Sequence, residues 1–205
     1  FQQFGEIFGS PARSFDLVSP YFVPGRHGVD LFEKWAERGV QVRVLTNSLE
    51  ATDVAVVHAG YAKRRKALLQ AGIALFELRS TPGQRPAGSG RAFGSSGSSL
   101  HAKTFAVDQS RIFIGSFNFD PRSAQLNTEM GFVIDSPVLA RRMAAVFDND
   151  VPMNAYSVRL SSAGDVQWIE QRGGQTIQHR TEPGAGFWTR LGVRLLSMLP
   201  IDPLL

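Results

Sequence analysis

A histidine and a lysine two positions apart, His101 and Lys103, mark the part of the chain with the clearest capacity for chemistry. Side chains alternate along a β-strand, so this spacing places both on one face of the β-like run "LHAKTFAVD". The next run, "RIFIGSFN", places Ser116 and Asn118 on one face of its own strand in the same way. If the two strands pair, the four polar groups converge near the strand ends.

A phosphate is the ligand that suits this group of side chains. A cation beside the histidine weakens metal binding because it repels the ion, and no second histidine stands at ligand spacing. An ammonium and an amide instead stabilise negative charge on phosphorus-bound oxygens. The ordinary alternative is a histidine that only completes a core or a sheet edge, and periodicity by itself favours that interpretation.

The whole run "SSLHAKTFAVDQSRIFIGSFNFDPRS" resembles the HKD signature of the phospholipase D superfamily, H-x-K-x4-D-x6-G-S-x-N. The residues that match, all at the expected spacing, are His101, Lys103, Asp108, Gly115, Ser116 and Asn118, with Asn127 and Glu129 downstream. A match of this length is far more specific than a single glycine motif. It therefore favours a catalytic role over the ordinary alternative.

This resemblance implies phosphodiester transfer through a phosphohistidine intermediate, with no metal and no other cofactor. One imidazole attacks phosphorus, while a second protonates the leaving alkoxide and then deprotonates the incoming water or alcohol. The resemblance assigns the non-bridging oxygens to Lys103 and Asn118, with Ser116 as a supporting donor. Which of the two histidines is the nucleophile stays open.

Two acidic residues of the motif have different expected roles. The resemblance implies that Glu129 accepts the proton on the other ring nitrogen of His101 and so fixes its tautomer, as an aspartate does in serine hydrolases. Asp108 matches the aspartate of the motif among the catalytic group. We interpret it as structural, organising the turn into "QSRIF".

The chain carries one such motif, whereas the family builds its site from two that face each other. The other three histidines, His27, His58 and His179, have no lysine two positions later. The sequence begins at Phe1 without an initiator methionine, so we expect a longer protein that carries the second motif upstream. Pairing of two copies across a two-fold axis is the alternative.

The flanking text narrows the resemblance to bacterial cardiolipin synthases, and among them to the C-terminal half of the C type. It rests on "VSPYFVPG", "GVQVRVLTNSLEATDVAVVHAGYAKRRKALLQAGIALFELR" and "EPGAGFWTRLGVRLLSMLPIDPLL". The implied reaction passes a phosphatidyl group to the glycerol hydroxyl of phosphatidylglycerol. The resemblance also implies a peripheral protein at the cytoplasmic side of the bacterial inner membrane. Phosphatidylglycerol and phosphatidylethanolamine both stay open as the donor.

Two other functions are kept beside this one. The first is a homodimeric nuclease or phosphodiesterase of the same superfamily, which uses the same chemistry. Such nucleases are shorter and lack a tail of this kind, so nucleic acid is not the expected partner. The second is a half that binds phosphate or membrane without catalysis.

The strand and helix patterns predict an α/β fold. From "SFDLVSPYFVPG" to "IALFELR" they alternate, which is typical of a parallel sheet. We expect a mixed, largely parallel sheet flanked by helices over residues 1–150, the catalytic domain, and an appendage with a small β-hairpin and a terminal helix over 151–205. The stretch 80–99, rich in Gly, Ser and Pro, is expected to form a long mobile loop at the mouth of the site.

Composition sets wider limits. With 205 residues, 43% hydrophobic and 20% charged, the chain is an ordinary globular sequence. A formal charge of +4 mildly favours anionic partners. The sequence contains no cysteine, which excludes disulfides, thiolate metal sites and a thiol nucleophile. No apolar run approaches the roughly 18 residues that a membrane-spanning helix needs.

Three further features leave alternatives open. His58 and Tyr61 follow "NSLEATD", at a strand end where α/β sheets bind ligands, so they are candidates for headgroup or acceptor recognition, or they simply pack or solvate their helix. The charge run 63–66 is either a solvated face or a site of attraction to anionic lipid.

The terminal helix, with an apolar stripe from Phe187 to Met198 beside Arg190 and Arg194, either binds a membrane interface or packs on its own domain.

Overall fold

The structure is a computed structural model that describes residues 9–80 and 100–199. The stretch 80–99, expected to be a mobile loop, lies outside these ranges apart from Ser80. The described strands are β1 Ser14–Val18, β2 Gln41–Asn47, β3 Ala74–Leu78, β4 Thr104–Val107, β5 Arg111–Gly115, β6 Gly131–Asp135, β7 Ala155–Leu160, β8 Val166–Arg172 and β9 Gln175–His179. The described helices are α1 Gly25–Glu37, α2 Ala55–Gln70, α3 Pro121–Gln125, α4 Pro137–Asn149, α5 Val151–Asn154 and α6 Phe187–Ser197.

All nine described strands form one sheet, in the order β6-β5-β4-β1-β2-β3-β7-β8-β9. The predicted α/β class is confirmed, but the detail "largely parallel" is wrong. Only β1 with β2 and β2 with β3 pair in parallel, and every other neighbouring pair is antiparallel. The parallel pairs are those joined by the crossover helices α1 and α2, which parallel strands require. The later strands mostly follow one another through short connections that reverse direction.

The two faces of the sheet are covered by different helices. On one face, α1 and α2 pack an aromatic core in which Phe15 of β1 lies against Phe32 and Trp35 of α1. On the other face, α4 packs Met143 and Phe147 against the sheet. The strands after residue 150, expected as a separate hairpin, extend the same sheet beside β3 as three strands.

A buried carboxylate on β3 joins the central sheet to α2 and to the C-terminal strands. Glu77 is fully buried, with 0% of its surface exposed. Its Oε1 accepts a hydrogen bond from the Tyr61 hydroxyl at 3.0 Å and lies 2.9 Å from Arg65 Nε, and its Oε2 accepts from Trp168 Nε1 at 2.8 Å. Arg65 also stacks over the Tyr61 and Trp168 rings. A buried charge is tolerated only with such partners.

We predict that Glu77→Gln lowers the free energy of unfolding by about 3 kcal/mol, because it leaves the buried Arg65 guanidinium short of a counter-charge. Urea unfolding followed by circular dichroism measures the change. The matched control is Glu33→Gln on the exposed face of α1, where a change within about 0.5 kcal/mol is expected. Equal losses in both variants would contradict the role given to Glu77.

Candidate active site at the carboxyl end of the parallel strands

A pocket of 710 Å³ lies at the end of the sheet where β1 and β2 finish and β4 begins. It collects side chains from four connections of the chain. The residues that line it are Tyr21, His101, Lys103, Ile114, Gly115, Ser116, Asn118, Met130, Gly131 and Phe132. Ligands of open α/β sheets bind at this end, because the loops that follow the parallel strands meet there.

His101 and Lys103 reach the pocket from the extended segment just before β4. The strand was predicted to include both residues, but it begins at Thr104. Lys103 Nζ donates a hydrogen bond to the carbonyl oxygen of His101 at 3.0 Å. The His101 side chain is exposed, and across residues 9–80 and 100–199 its imidazole has no hydrogen-bond partner. The ring is therefore available to a substrate.

Ser116 and Asn118 reach the pocket from the segment that follows β5. The Ser116 hydroxyl donates to Glu129 Oε2 at 2.5 Å and accepts from the Met130 N–H at 3.0 Å. The Asn118 Oδ1 atom is buried and has no hydrogen-bond partner in the described part of the chain. A buried polar atom without a partner is costly, so this amide points to a ligand. If the side-chain amide is flipped, Nδ2 takes the place of Oδ1 and becomes the atom available to the ligand.

Two facing glycines let the strand ends approach closely beside the pocket. Gly115 of β5 pairs with Gly131 of β6, and the Phe113 ring lies over both. A Cβ atom at Gly131 would stand 2.1 Å from that ring, and one at Gly115 would stand 2.5 Å from the Met130 carbonyl oxygen. The ring itself is stacked on Phe105 with centroids 4.5 Å apart. Gly115 thus allows the close packing of β5 on β6 that holds Ser116 in place.

Glu129 does not hold His101 in this structure. Its carboxylate accepts from Ser116 Oγ and, at 3.3 Å, from Asn127 Nδ2. The hydrogen bond expected between Glu129 and His101 is therefore not formed here, since the serine hydroxyl and the amide two residues earlier occupy the carboxylate. The Glu129 charge still acts on the pocket, because it is one of the charges that favour protonated Lys103.

Tyr21 and Asp53 belong to the pocket region and were missed as candidates. The Tyr21 hydroxyl donates to Asp53 Oδ2 at 2.9 Å. Burial, with the hydrogen bond to Asp53, raises the pKa of Tyr21 to about 12, so the hydroxyl stays neutral. Both residues follow buried parallel strands, at positions where ligand contacts are expected. The same signal is present in "SPYF" and in "NSLEATD", but the predicted candidates were His58 and Tyr61, which follow the second of these.

The electrostatic balance of the pocket is set by Lys103 and the carboxylates around it. Burial lowers the pKa of Lys103, and the charges of Glu129, Asp53 and Asp120 act in the opposite direction. Burial also raises the pKa of Asp120, which caps α3 by accepting from the Ser123 N–H at 2.7 Å. An anionic ligand beside Lys103 would favour its charged form.

Ser19 ties the two main walls of the pocket together. Its hydroxyl accepts from the Phe119 N–H at 3.1 Å and donates to the Tyr21 carbonyl at 2.7 Å. The Phe119 carbonyl in turn accepts from the Val23 N–H at 2.7 Å. The backbone of Tyr21 and the backbone next to Asn118 are thus anchored to the same hydroxyl.

Asp108 lies at the other end of β4 and does not line the pocket. Its carboxylate accepts hydrogen bonds from the backbone N–H groups of Ala12, Arg13 and Ser14. Burial raises the pKa of Asp108, but these bonds outweigh it and leave the pKa below its ordinary value. The carboxylate thus fastens the segment before β1 to the β4–β5 turn, where Asp108 and Gln109 adopt positive φ. Asp108 thus lies at the turn that leads into "QSRIF".

His58 and Tyr61 lie in a separate, buried cluster and do not line the pocket. His58 Nε2 lies 2.9 Å from Glu182 Oε1 and 3.1 Å from Arg65 Nη2. Tyr61 is 2% exposed and bonds to Glu77. Both side chains are therefore engaged with protein groups, because α2 turns them toward the sheet and the C-terminal segment. The structure does not bring them together with His101.

Solved structures share this architecture. Nuc from Salmonella typhimurium, a phospholipase D family member, aligns with a TM-score of 0.55 at 21% identity over 75% of this chain and 87% of its own. Phosphatidylserine synthase from Haemophilus influenzae gives a TM-score of 0.55 at 17% identity over 76% of this chain and 36% of its own. The fold is that of the phospholipase D class.

Sequence comparison is more specific. Residues 6–151 match the family described as "Cardiolipin synthase, PLD-like domain", and the chain belongs to that family. Cardiolipin synthase C of Escherichia coli K12 is 47% identical over all 205 residues, which span 43% of that protein. The chain thus covers less than half the length of this relative. No helix within the described ranges is long and apolar enough to cross a membrane.

We predict an acid-dependent contribution of Glu182 to stability. Burial would raise its pKa, but the hydrogen bond with His58 and the charge of Arg65 lower it from 4.5 to about 2. A lowered pKa stabilises the fold above the ordinary pKa, and the contribution is lost as pH falls toward the folded value. Between pH 5 and pH 3, the advantage of the wild type over Glu182→Gln in unfolding free energy should shrink by about 2 kcal/mol.

Urea unfolding of the two proteins at both pH values measures this difference. Comparison with the variant removes the effect of other carboxylates that titrate in the same range. An advantage that does not change between the two pH values would show that Glu182 is not held as an anion.

Proposed function

We propose that this chain supplies one half of a two-motif active site that transfers phosphatidyl groups to phosphatidylglycerol and so makes cardiolipin. The observation that supports it is the single pocket in which His101, Lys103, Ser116 and Asn118 meet. An open imidazole, a cation and an unpartnered amide are what a phosphodiester needs. The family match and the relative from Escherichia coli favour a phospholipid over other phosphodiesters.

In the proposed first step, a histidine nitrogen attacks the phosphorus of the donor lipid. A phosphorus–nitrogen bond forms, the bond to the leaving alkoxide breaks, and the histidine of the other half donates a proton to that alkoxide. In the second step, the acceptor hydroxyl loses its proton to the histidine of the other half and attacks phosphorus. The phosphorus–nitrogen bond breaks, and the nucleophilic histidine is released. His101 fits either role, because the two halves face each other.

The other pocket residues act on the phosphate charge. Lys103 and Asn118 are proposed to hold the non-bridging oxygens, where negative charge gathers in the transition state, and Ser116 to support them. Glu129 is proposed to orient His101 in the assembled site, which requires its carboxylate to leave Ser116. No step is assigned to a metal or a cofactor.

An apolar rim beside the pocket is the proposed contact for the second half. Three of its residues line the pocket, and all four are from 45% to 75% exposed: Ile114, Leu126, Met130 and Phe132. Exposed apolar side chains grouped around a polar site are typical of a surface that is covered in the working assembly. The second half is either the upstream part of a longer chain or a second copy. Either arrangement brings the missing histidine to the pocket.

The central prediction concerns His101. In the full-length protein, His101→Asn should lower cardiolipin formation from phosphatidylglycerol vesicles on the order of 10³-fold or more, because none of the other three histidines, all of them among the described residues, lines the pocket to replace it. Mass spectrometry of the lipid products measures it. The matched control is His27→Asn, an exposed histidine on α1 outside the pocket, which should keep wild-type activity. Full activity of His101→Asn would overturn the assignment.

A second candidate function, the homodimeric nuclease, is favoured by one observation: His101 is the one histidine of the four, all within the described residues, that lines the pocket. Two identical copies would complete such a site. If the 205-residue chain elutes as a dimer on gel filtration and cuts DNA in the presence of a chelator, the nuclease is supported. Lipid products without DNA cleavage support the transferase, and a folded chain with neither activity in any assembly supports a binding half without catalysis.

A further inference from the structure

The terminal helix α6 has two apolar faces, of which only one is covered. Val193 is 4% exposed, and with Leu196 it packs against Ala59 of α2 and against Val23 and Leu49. This contact fixes the helix to the body of the protein. The inner face of α6 therefore completes the hydrophobic core there, and the second face of the helix takes no part in it.

The second face is open and made of large apolar side chains. Three residues of the helix and two just beyond its end have exposed fractions of 63%, 79%, 57%, 72% and 50%: Phe187, Trp188, Leu195, Met198 and Leu199. Leu191 lies between them and is half-buried. Isolated exposed apolar residues are ordinary, but a continuous stripe of them along one helix is not.

The charged residues of α6 itself have one sign. From residue 183 to residue 199 the sequence has two arginines and no acidic residue. The Arg194 side chain is exposed, while Arg190 donates to the Ala185 carbonyl at 3.0 Å. Lys63 of α2 donates to the Leu199 carbonyl at 3.3 Å, which places a further cation at the end of the stripe. The surface thus combines an apolar stripe with a basic border.

The stripe lies at the same end of the sheet as the pocket. The residues that hold the inner face of α6 include Val23, which follows β1, and Leu49, which follows β2. Tyr21, which lines the pocket, and Asp53, which accepts from the Tyr21 hydroxyl, come from these same two loops. A surface engaged by α6 would therefore be close to the opening of the site.

We propose that α6 is an interfacial helix that seats the pocket on an anionic phospholipid bilayer. Phe187, Trp188, Leu195 and Met198 enter the boundary between headgroups and acyl chains, and Arg194 and Lys63 contact the headgroup phosphates. Aromatic and aliphatic side chains beside basic ones are the composition that binds such boundaries. Pairing of two copies through this face would bring the like-charged borders together, which is unfavourable.

This inference deepens the proposed function, since it names the surface from which lipid phosphodiesters enter the site. Vesicle binding is measured without turnover, so the membrane surface and the catalytic function are tested independently of each other. The 205-residue chain is sedimented with vesicles of phosphatidylglycerol and with vesicles of phosphatidylcholine, as wild type and as His101→Asn. Both proteins should bind the anionic vesicles equally, whatever their activity.

The test variant replaces three exposed residues of the stripe, Phe187→Ser, Trp188→Ser and Leu195→Ser. It should bind anionic vesicles at least about tenfold more weakly, because it removes the inserted apolar surface. The matched control removes three apolar side chains exposed elsewhere, through Val138→Ser, Val146→Ser and Met153→Ser. It should bind as the wild type does. Thermal unfolding by circular dichroism checks that each variant is folded.

Tryptophan fluorescence adds a direct readout. Trp35 and Trp168 are 5% and 4% exposed, whereas Trp188 is 79% exposed. Anionic vesicles should shift the emission to shorter wavelength, and Trp188→Phe should remove the shift while binding persists. Equal binding by the stripe variant and the wild type, or no binding by either, would overturn the proposal. A dimer in solution that the stripe variant dissociates would also overturn it and assign the face to a second copy.

Discussion

The pocket depends on the two hydrogen bonds of the Ser19 hydroxyl, one from the Phe119 N–H and one to the Tyr21 carbonyl. Ser19 is fully buried, and its hydroxyl serves the loop after β1 and the segment after β5 at the same time. The Phe119 ring is stacked on Phe32 with centroids 5.1 Å apart, so the aromatic core under α1 holds the backbone that carries Asn118. The chemistry of the site therefore rests on core packing: a polar side chain keeps its position because its neighbour in sequence cannot move.

A second constraint comes from the buried charges that connect α2, β3 and the C-terminal strands. Glu77, Arg65 and Glu182 form a network in which each group depends on the others, because charges removed from water must be paired. The same network fixes the segment that leads into α6. The C-terminal helix, the sheet and the pocket loops thus behave as one structure, and any surface that α6 engages is held in a fixed relation to the pocket.

Much of this could be predicted from the sequence, and the misses have physical causes. The motif spacing led to His101, Lys103, Ser116 and Asn118, which do meet in one pocket. They lie in the segments just outside β4 and β5, and these segments converge because the paired strands end side by side. Strand directions were predicted less well, since a sequence shows that a strand exists but not which neighbour it joins. His58 and Tyr61 were candidates for headgroup or acceptor recognition because of their position after a strand, with packing or solvation of their helix as the alternative. The turn of α2 instead points them at Glu182 and Glu77, which lie far away in sequence. Contacts between residues so far apart leave no local pattern in the sequence.

The Phe113 ring over Gly115 and Gly131 separates two reasons for which a motif residue can persist. Gly115 is required by packing and Asp108 by the backbone it fastens, so both would remain useful in a copy of this fold that had lost its reaction. The His101 imidazole, exposed and without a hydrogen-bond partner in the described residues, contributes nothing comparable to the fold. Among divergent copies, the glycine and the aspartate would therefore record ancestry, and the histidine alone would record whether the copy still works as a catalyst.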